Sequence, residues 1–106
     1  MKTIVFQGDS ITDAGRIHTD GASMGQGYPA LVAASLGLDC PGRYQMYNRG
    51  VSGNRVVDVY ARIKIDIINL KPDILSILIG TNDVWHEIYW QNGVSAEKYY
   101  KIYSMM

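Results

Sequence analysis

Apolar residues along this chain come in short runs divided by polar, glycine-rich stretches, and the spacing inside each run predicts an element. Thr3–Gln7 is β-branched and aromatic and is halted by Gly8, the mark of a short strand. Residues 13–27 hold four glycines among polar side chains and read as a loop. From Tyr28 to Leu36 the pattern becomes helical: Pro29 suits a first turn, Leu31, Val32 and Leu36 share a face, and Gly37 suits the stop. Pro41-Gly42 signals a turn, and Tyr44–Tyr47 reads as a second strand. Asn54 is placed to cap a helix over residues 55–70, where Val56, Val59, Tyr60, Ile63, Ile67 and Leu70 recur at three- and four-residue spacing before Pro72. Ile74–Ile79 is apolar on both faces apart from Ser76, as expected of a strand buried between layers of helices. A turn at residues 80–83 leads to a short irregular or helical stretch, and Ser95 caps a last helix starting near Ala96.

The order β-α-β-α-β-α predicts an α/β fold with a parallel sheet and right-handed crossovers, its core formed by the helix faces at 28–36 and 55–70. The last helix carries Tyr99, Tyr100, Ile102, Tyr103, Met105 and Met106 with no stop signal. A third strand this apolar would also leave an open edge, which natural domains cover, shorten or charge. Both features lead us to expect that residues 1–106 are the N-terminal part of a single larger domain.

Composition narrows the functions. Ten basic and ten acidic residues give a formal net charge of zero, which argues against a partner such as nucleic acid or an anionic membrane. Cys40 is the only cysteine, so no internal disulfide can form. The apolar run near the start is far shorter than the roughly 7–15 residues of a signal peptide, and no segment approaches the about 20 apolar residues of a membrane span. The expectation is a cytoplasmic protein, with secretion left open.

Three polar turns follow the three strands. Gly8-Asp9-Ser10 offers a hydroxyl just past a strand end, with Asp9 beside it. Asn48-Arg49-Gly50-Val51-Ser52-Gly53-Asn54 offers, at Gly50, a bare backbone N–H that a ligand can approach closely. Gly80-Thr81-Asn82-Asp83 offers the neutral carboxamide of Asn82. Taken singly, each is better explained as a turn with capping side chains. Together they put a nucleophile and two oxyanion donors at one sheet edge, the set that acyl transfer needs.

These blocks, in this order and spacing across nearly the whole chain, resemble the first three sequence blocks of the SGNH hydrolase (GDSL-type esterase/lipase) family. The resemblance implies a flavodoxin-like αβα sandwich of strand order 2-1-3-4-5, of which this chain would supply 2-1-3. It implies Ser10 as nucleophile, and the Ser10 N–H, the Gly50 N–H and the Asn82 side chain as oxyanion hole, with Asp9 and Asp83 in support. It implies an acyl-ester substrate, a carbohydrate O-acyl ester or a lipid among the options, and no cofactor or metal. The family's fourth block, Asp-x-x-His, supplies the general base and its orienting carboxylate; it lies later than this chain reaches, so the chain alone is expected to turn over little substrate. The competing expectation is a non-catalytic flavodoxin-like module that pairs through its open third-strand edge, with another copy or with a complementing half.

Several residues invite other readings. Asp83-Val84-Trp85-His86 has the spacing of the base block, but Asp83 already belongs to the third block, so His86 reads as a rim or surface residue, with a surrogate-base role left to geometry. Trp85, Tyr89 and Trp90 read as a substrate rim or as packing residues. His18, with Asp20, reads as a solvated loop histidine. Ser52 misses the Gly-x-Ser-x-Gly elbow because residue 54 is Asn, and ranks below Ser10.

Overall fold

Five consecutive residues of the first strand, Ile4–Gly8, are buried, and the rest of the molecule is arranged around them. The computed structural model describes all 106 residues. Strand β1 (Lys2–Gly8) is followed by a single-turn helix α1 (Ser10–Asp13), then α2 (Tyr28–Asp39), β2 (Tyr44–Asn48), α3 (Val56–Ala61), α4 (Ile63–Asp66), a 3₁₀ turn (Ile68–Leu70), β3 (Ile74–Leu78), α5 (Thr81–Trp90) and α6 (Ala96–Met105). The sheet is parallel in the order β2-β1-β3. The chain steps from β1 to one side for β2 and then crosses to the other side for β3, so strand order reverses beside β1. In open α/β sheets that reversal is where a crevice opens at the C-terminal ends of the strands.

Alternation along β1 assigns its two faces. Phe6 meets Tyr28 of α2 edge-on, ring centroids 5.9 Å apart. Gln7 points to the opposite face, where it meets Arg62 at the end of α3. Helices on both faces of one sheet make the three-layer αβα sandwich that the alternating pattern predicts. Its apolar core is small: Ile4, Val5, Phe6, Val56, Val59 and Ile67.

Four expectations need correction. The helix over residues 55–70 is broken at Arg62 and again at Ile67, which leave helical geometry. Four isoleucines among residues 63–68 are β-branched and weak helix formers, and the Arg62 side chain is drawn inward by polar partners. Val56, Val59 and Ile67 of the predicted face are nonetheless buried. Asn54 is not the cap; Arg55 is, and the Asp58 carboxylate reaches back to its N–H at 2.8 Å. Gly37 lies inside α2 rather than ending it, and Leu31 is 72% exposed, so only part of the predicted face is core. Finally, Ile74, Leu75 and Leu78 of β3 are exposed instead of buried on both faces, because β3 is an edge strand packed closely only against β1 and no helix covers it.

The core assignment can be tested by chemical denaturation. Val59→Ala should cost about 2 kcal/mol, the transfer term for two methyl-sized groups plus the cavity left behind. Leu31→Ala should change stability by less than about 0.5 kcal/mol.

Candidate active site

Parallel register brings the three polar turns to one edge. Gly8 lies level with Leu78 of β3, and Phe6 with Asn48 of β2. Past the end of β2 the ladder continues: Arg49 N–H donates to Phe6 O at 2.8 Å and Val51 N–H to Gly8 O at 3.0 Å. Because residues 49 and 51 turn their N–H groups toward β1, the N–H of Gly50 between them points away. Both glycines stand where a side chain would collide. A Cβ on Gly8 would strike Thr12 and the Leu78 carbonyl, and one on Gly50 would lie 2.6 Å from Asp13 N and 2.8 Å from Thr12 Cβ. The first turn therefore packs against the second through α1 and against β3 through Gly8.

Ser10 is exposed and takes the first position of α1, while Asp9 is buried and caps the helix, its carboxylate accepting the Ile11 N–H at 3.0 Å. The Gly50 N–H is not bare. It donates to Asn48 Oδ1 at 2.9 Å. The Asn48 carboxamide, fully buried, also donates to Thr12 O at 2.7 Å and Met24 O at 2.9 Å. On the third turn, Asn82 donates one Nδ2–H to Asn54 O at 3.1 Å and has a second to give. Asp83 is buried, and both its oxygens accept the Val56 N–H, at 3.0 and 3.2 Å. Burial pushes the Asp83 carboxyl above the usual carboxylate range against the pull of that N–H.

Asp83 and His86 share no hydrogen bond or ion pair; His86 instead stands edge-on to Trp90 at 5.0 Å. Trp85 leans on Tyr89 at 4.7 Å, and Trp85, Tyr89 and Trp90 are all exposed. They form no core in this chain. Tyr99 of α6 reaches back over the third turn, donating to Ile79 O at 2.6 Å, and closes one wall of a shallow cavity of about 300 Å³ lined by Gly80, Asp83, Val84, Ala96 and Tyr99. A larger hollow, lined by Met1, Lys2, Gly42, Arg43 and Tyr44, lies at the opposite end of the strands, remote from all three turns.

Sequence patterns missed one cluster. Asp13, three residues after Ser10, is buried and its Oδ2 accepts from Ser52 N–H (3.0 Å), Ser52 Oγ (3.1 Å) and His18 Nε2 (3.0 Å). Arg16 donates to Gly50 O at 2.7 Å. His18 is an exposed loop histidine, as expected, and its partner is Asp13. Burial alone would raise the Asp13 carboxyl, but the Ser52 and His18 contacts outweigh it and hold it below the usual range. The signal available in the sequence was Asp13 on the same helical turn as Ser10, opposite a glycine-flanked Ser52.

Comparison with known proteins follows the same lines. The model of the GDSL-like lipase/acylhydrolase family matches residues 6–104. The chain belongs to that family. An acetylxylan esterase of Geobacillus stearothermophilus is 44% identical over 89 residues, 79% of this chain and 41% of the relative. A crystal structure of an acetylxylan esterase from that organism superposes with a TM-score of 0.91 at 36% identity, covering 98% of this chain and 52% of its own. An α/β hydrolase from the metagenome of Lake Arreo gives 0.88 at 40% identity, covering 95% and 51%. The chain therefore spans about half the length of these GDSL-like relatives. Three further structures of the Geobacillus enzyme are catalytic mutants in which a serine, an aspartate or a histidine is replaced, the last two three positions apart.

The two perturbed carboxylates have opposite signatures. Asp13, depressed in the fold, contributes stability that is present above its ordinary pKa and lost as pH falls through the folded value. Asp83, raised in the fold, opposes stability when ionised and relieves that cost as pH falls. Asp13→Asn should flatten the acid limb of a plot of denaturation midpoint against pH, and Asp83→Asn should steepen it.

Proposed function

We propose that this chain is the nucleophile-bearing part of a serine esterase of the GDSL-like family, acting on small O-acyl esters such as the acetyl groups of a polysaccharide. The observation that carries the reading is the placement of an exposed Ser10 at the rim where the Gly50 and Asn82 turns also end. In the proposed reaction Ser10 Oγ attacks the ester carbonyl, the alcohol leaves, and water releases the acid from the acyl-enzyme. The Ser10 N–H and the uncommitted Asn82 Nδ2–H stabilise the tetrahedral oxygen. The Gly50 N–H joins them only by sharing its hydrogen with Asn48 Oδ1, so it is the weakest of the three donors. Asp9 and Asp83 support by fixing backbone, Asp9 at α1 and Asp83 at Val56. Trp85, His86 and Trp90 form an exposed aromatic rim on α5 against which an apolar or sugar face can lie.

Turnover needs a base. The two histidines of this chain are engaged elsewhere, His18 with Asp13 and His86 with Trp90. We therefore propose that residues 1–106 form the N-terminal part of one domain, whose base comes from an Asp-x-x-His segment in the half that the relatives carry beyond the matched region. The outer edge of β3, with Ile74, Leu75 and Leu78 exposed, is where that half, or another copy, would pair. The acetylxylan esterase similarity favours a carbohydrate ester over a lipid.

A fluorophosphonate should label Ser10 slowly, and Ser10→Ala should abolish labelling. Acetate release from an aryl acetate should be at least about a thousandfold below that of the full-length relatives, since loss of one triad member removes that much or more. Adding a polypeptide equivalent to the relatives' second half should raise the rate. In that complemented enzyme Asn82→Ala should lower kcat about 10²–10³-fold with little change in KM. Labelling retained in Ser10→Ala would overturn the assignment.

A further inference from the structure

A polar pair on the far face of the sheet, buried Gln7 and partly buried Arg62, is linked directly or through one further residue to all three turns. Gln7 is the one long polar side chain in the buried stretch of β1 and is fully buried. Its Oε1 accepts the Gly8 N–H at 2.9 Å, two residues before Ser10. The same oxygen accepts from Arg62 Nη2 over a long 3.5 Å. Arg62 Nη1 donates to Arg49 O at 3.4 Å, the carbonyl just before Gly50, and Nη2 donates to Asn54 Oδ1. Asp66 neutralises the guanidinium through Nη1. Asn54 in turn holds Asn82 through its carbonyl. One side chain thus reaches the first turn through Gln7, the second directly, and the third through Asn54.

This arrangement is costly as a packing solution. Gln7 Nε2 and Arg62 Nε are buried with no acceptor, and such donors lose stability relative to an aliphatic side chain of similar shape. A leucine at position 7 would extend the apolar face begun by Val5 without that loss. The helix also breaks at Arg62, where the side chain turns in.

We infer that Gln7 and Arg62 are positioning residues: a single polar strut that sets the mutual placement of the Ser10, Gly50 and Asn82 turns. Their importance for catalysis rests on the esterase reading above, whereas the mechanical coupling does not. The planar fork of arginine matters more than its charge, because only a fork joins Gln7, Arg49 and Asn54 at once.

The test uses the full chain with Arg62→Lys, which keeps the charge and loses the fork, and Gln7→Leu, which is apolar and suited to its buried place. Amide exchange is followed at Gly8, Val51 and Asn54, with the NMR signals of the Asn82 carboxamide, in each variant and in the double variant. Arg62→Lys should speed exchange at Gly8 by about tenfold and shift the Asn82 signals, while Ile4–Phe6 keep their protection. Gln7→Leu should do the same at Val51 and Asn54, which it does not touch. The double variant should be no worse than either single one, as expected of groups acting as a unit. Effects confined to the turn each side chain touches, additive effects, or a uniform loss of protection including β1 would each overturn the strut. Ser10 labelling by the fluorophosphonate, run in parallel, reads the other idea: a wild-type chain that never labels removes the serine assignment and leaves the coupling to be judged on exchange alone.

Discussion

The seating of the second turn against the first depends on the carboxamide of Asn48. It is fully buried, and its three hydrogen bonds run to Gly50 N–H, Thr12 O and Met24 O. Those partners belong to three stretches that share no secondary structure: the second turn, α1 and the glycine-rich loop. A buried amide is held in place by the cost of leaving any of its polar atoms unpaired. Remove it and three backbone groups are orphaned together. The close approach of Gly50 to Thr12 and Asp13 depends on the same anchoring, since nothing larger than hydrogen fits there.

Around that anchor the loop from residue 14 to 27 closes over the second turn through hydrogen bonds between charged side chains at its start and polar groups of the turn. Asp13 holds Ser52 through its N–H and hydroxyl, and Arg16 holds the carbonyl of Gly50. These contacts tie the start of the loop to the turn, while Met24 near its far end is held by Asn48. The side of the molecule away from β2 is different in kind. β3 and α5 expose Ile74, Leu75, Leu78, Val84, Trp85, Ile88, Tyr89 and Trp90. In the reading proposed above, this exposed apolar surface is where the relatives' second half would pack. It adjoins the third turn, so whatever covers it also borders the Asn82 carboxamide. Completion of the fold and completion of the site are the same event in the reading proposed above.

Much of the architecture was legible in the sequence because it rests on local signals. Each strand and the start of each long helix carries its own period, stop or cap: Thr3–Gln7 ending at Gly8, Pro29 in a first turn, Ser95 before the last helix. The parallel sheet followed from the alternation of elements, its 2-1-3 order from the family resemblance, and the three rim turns from their place after the strands. What failed did so where side chains from elsewhere override local preference. Residues 55–70 have a continuous helical period, yet Arg62 turns in toward the second turn and the helix breaks. Gly37 looked like a stop, but nothing at that point prevents one more turn.

The sequence by itself determined which residues can do chemistry and at which strand ends they stand, because a hydroxyl, a carboxamide and a glycine keep their character wherever the chain goes. Only the tertiary structure decided how each is engaged: that the Gly50 N–H is taken by Asn48, that His18 answers to Asp13, and that Asp83 serves Val56 rather than His86. Asp83 and Val56 lie 27 residues apart, and even the near pairs, Asn48 with Gly50 and Asp13 with His18, depend on burial and on how the chain turns; no local pattern of apolar and polar positions records which donor meets which acceptor.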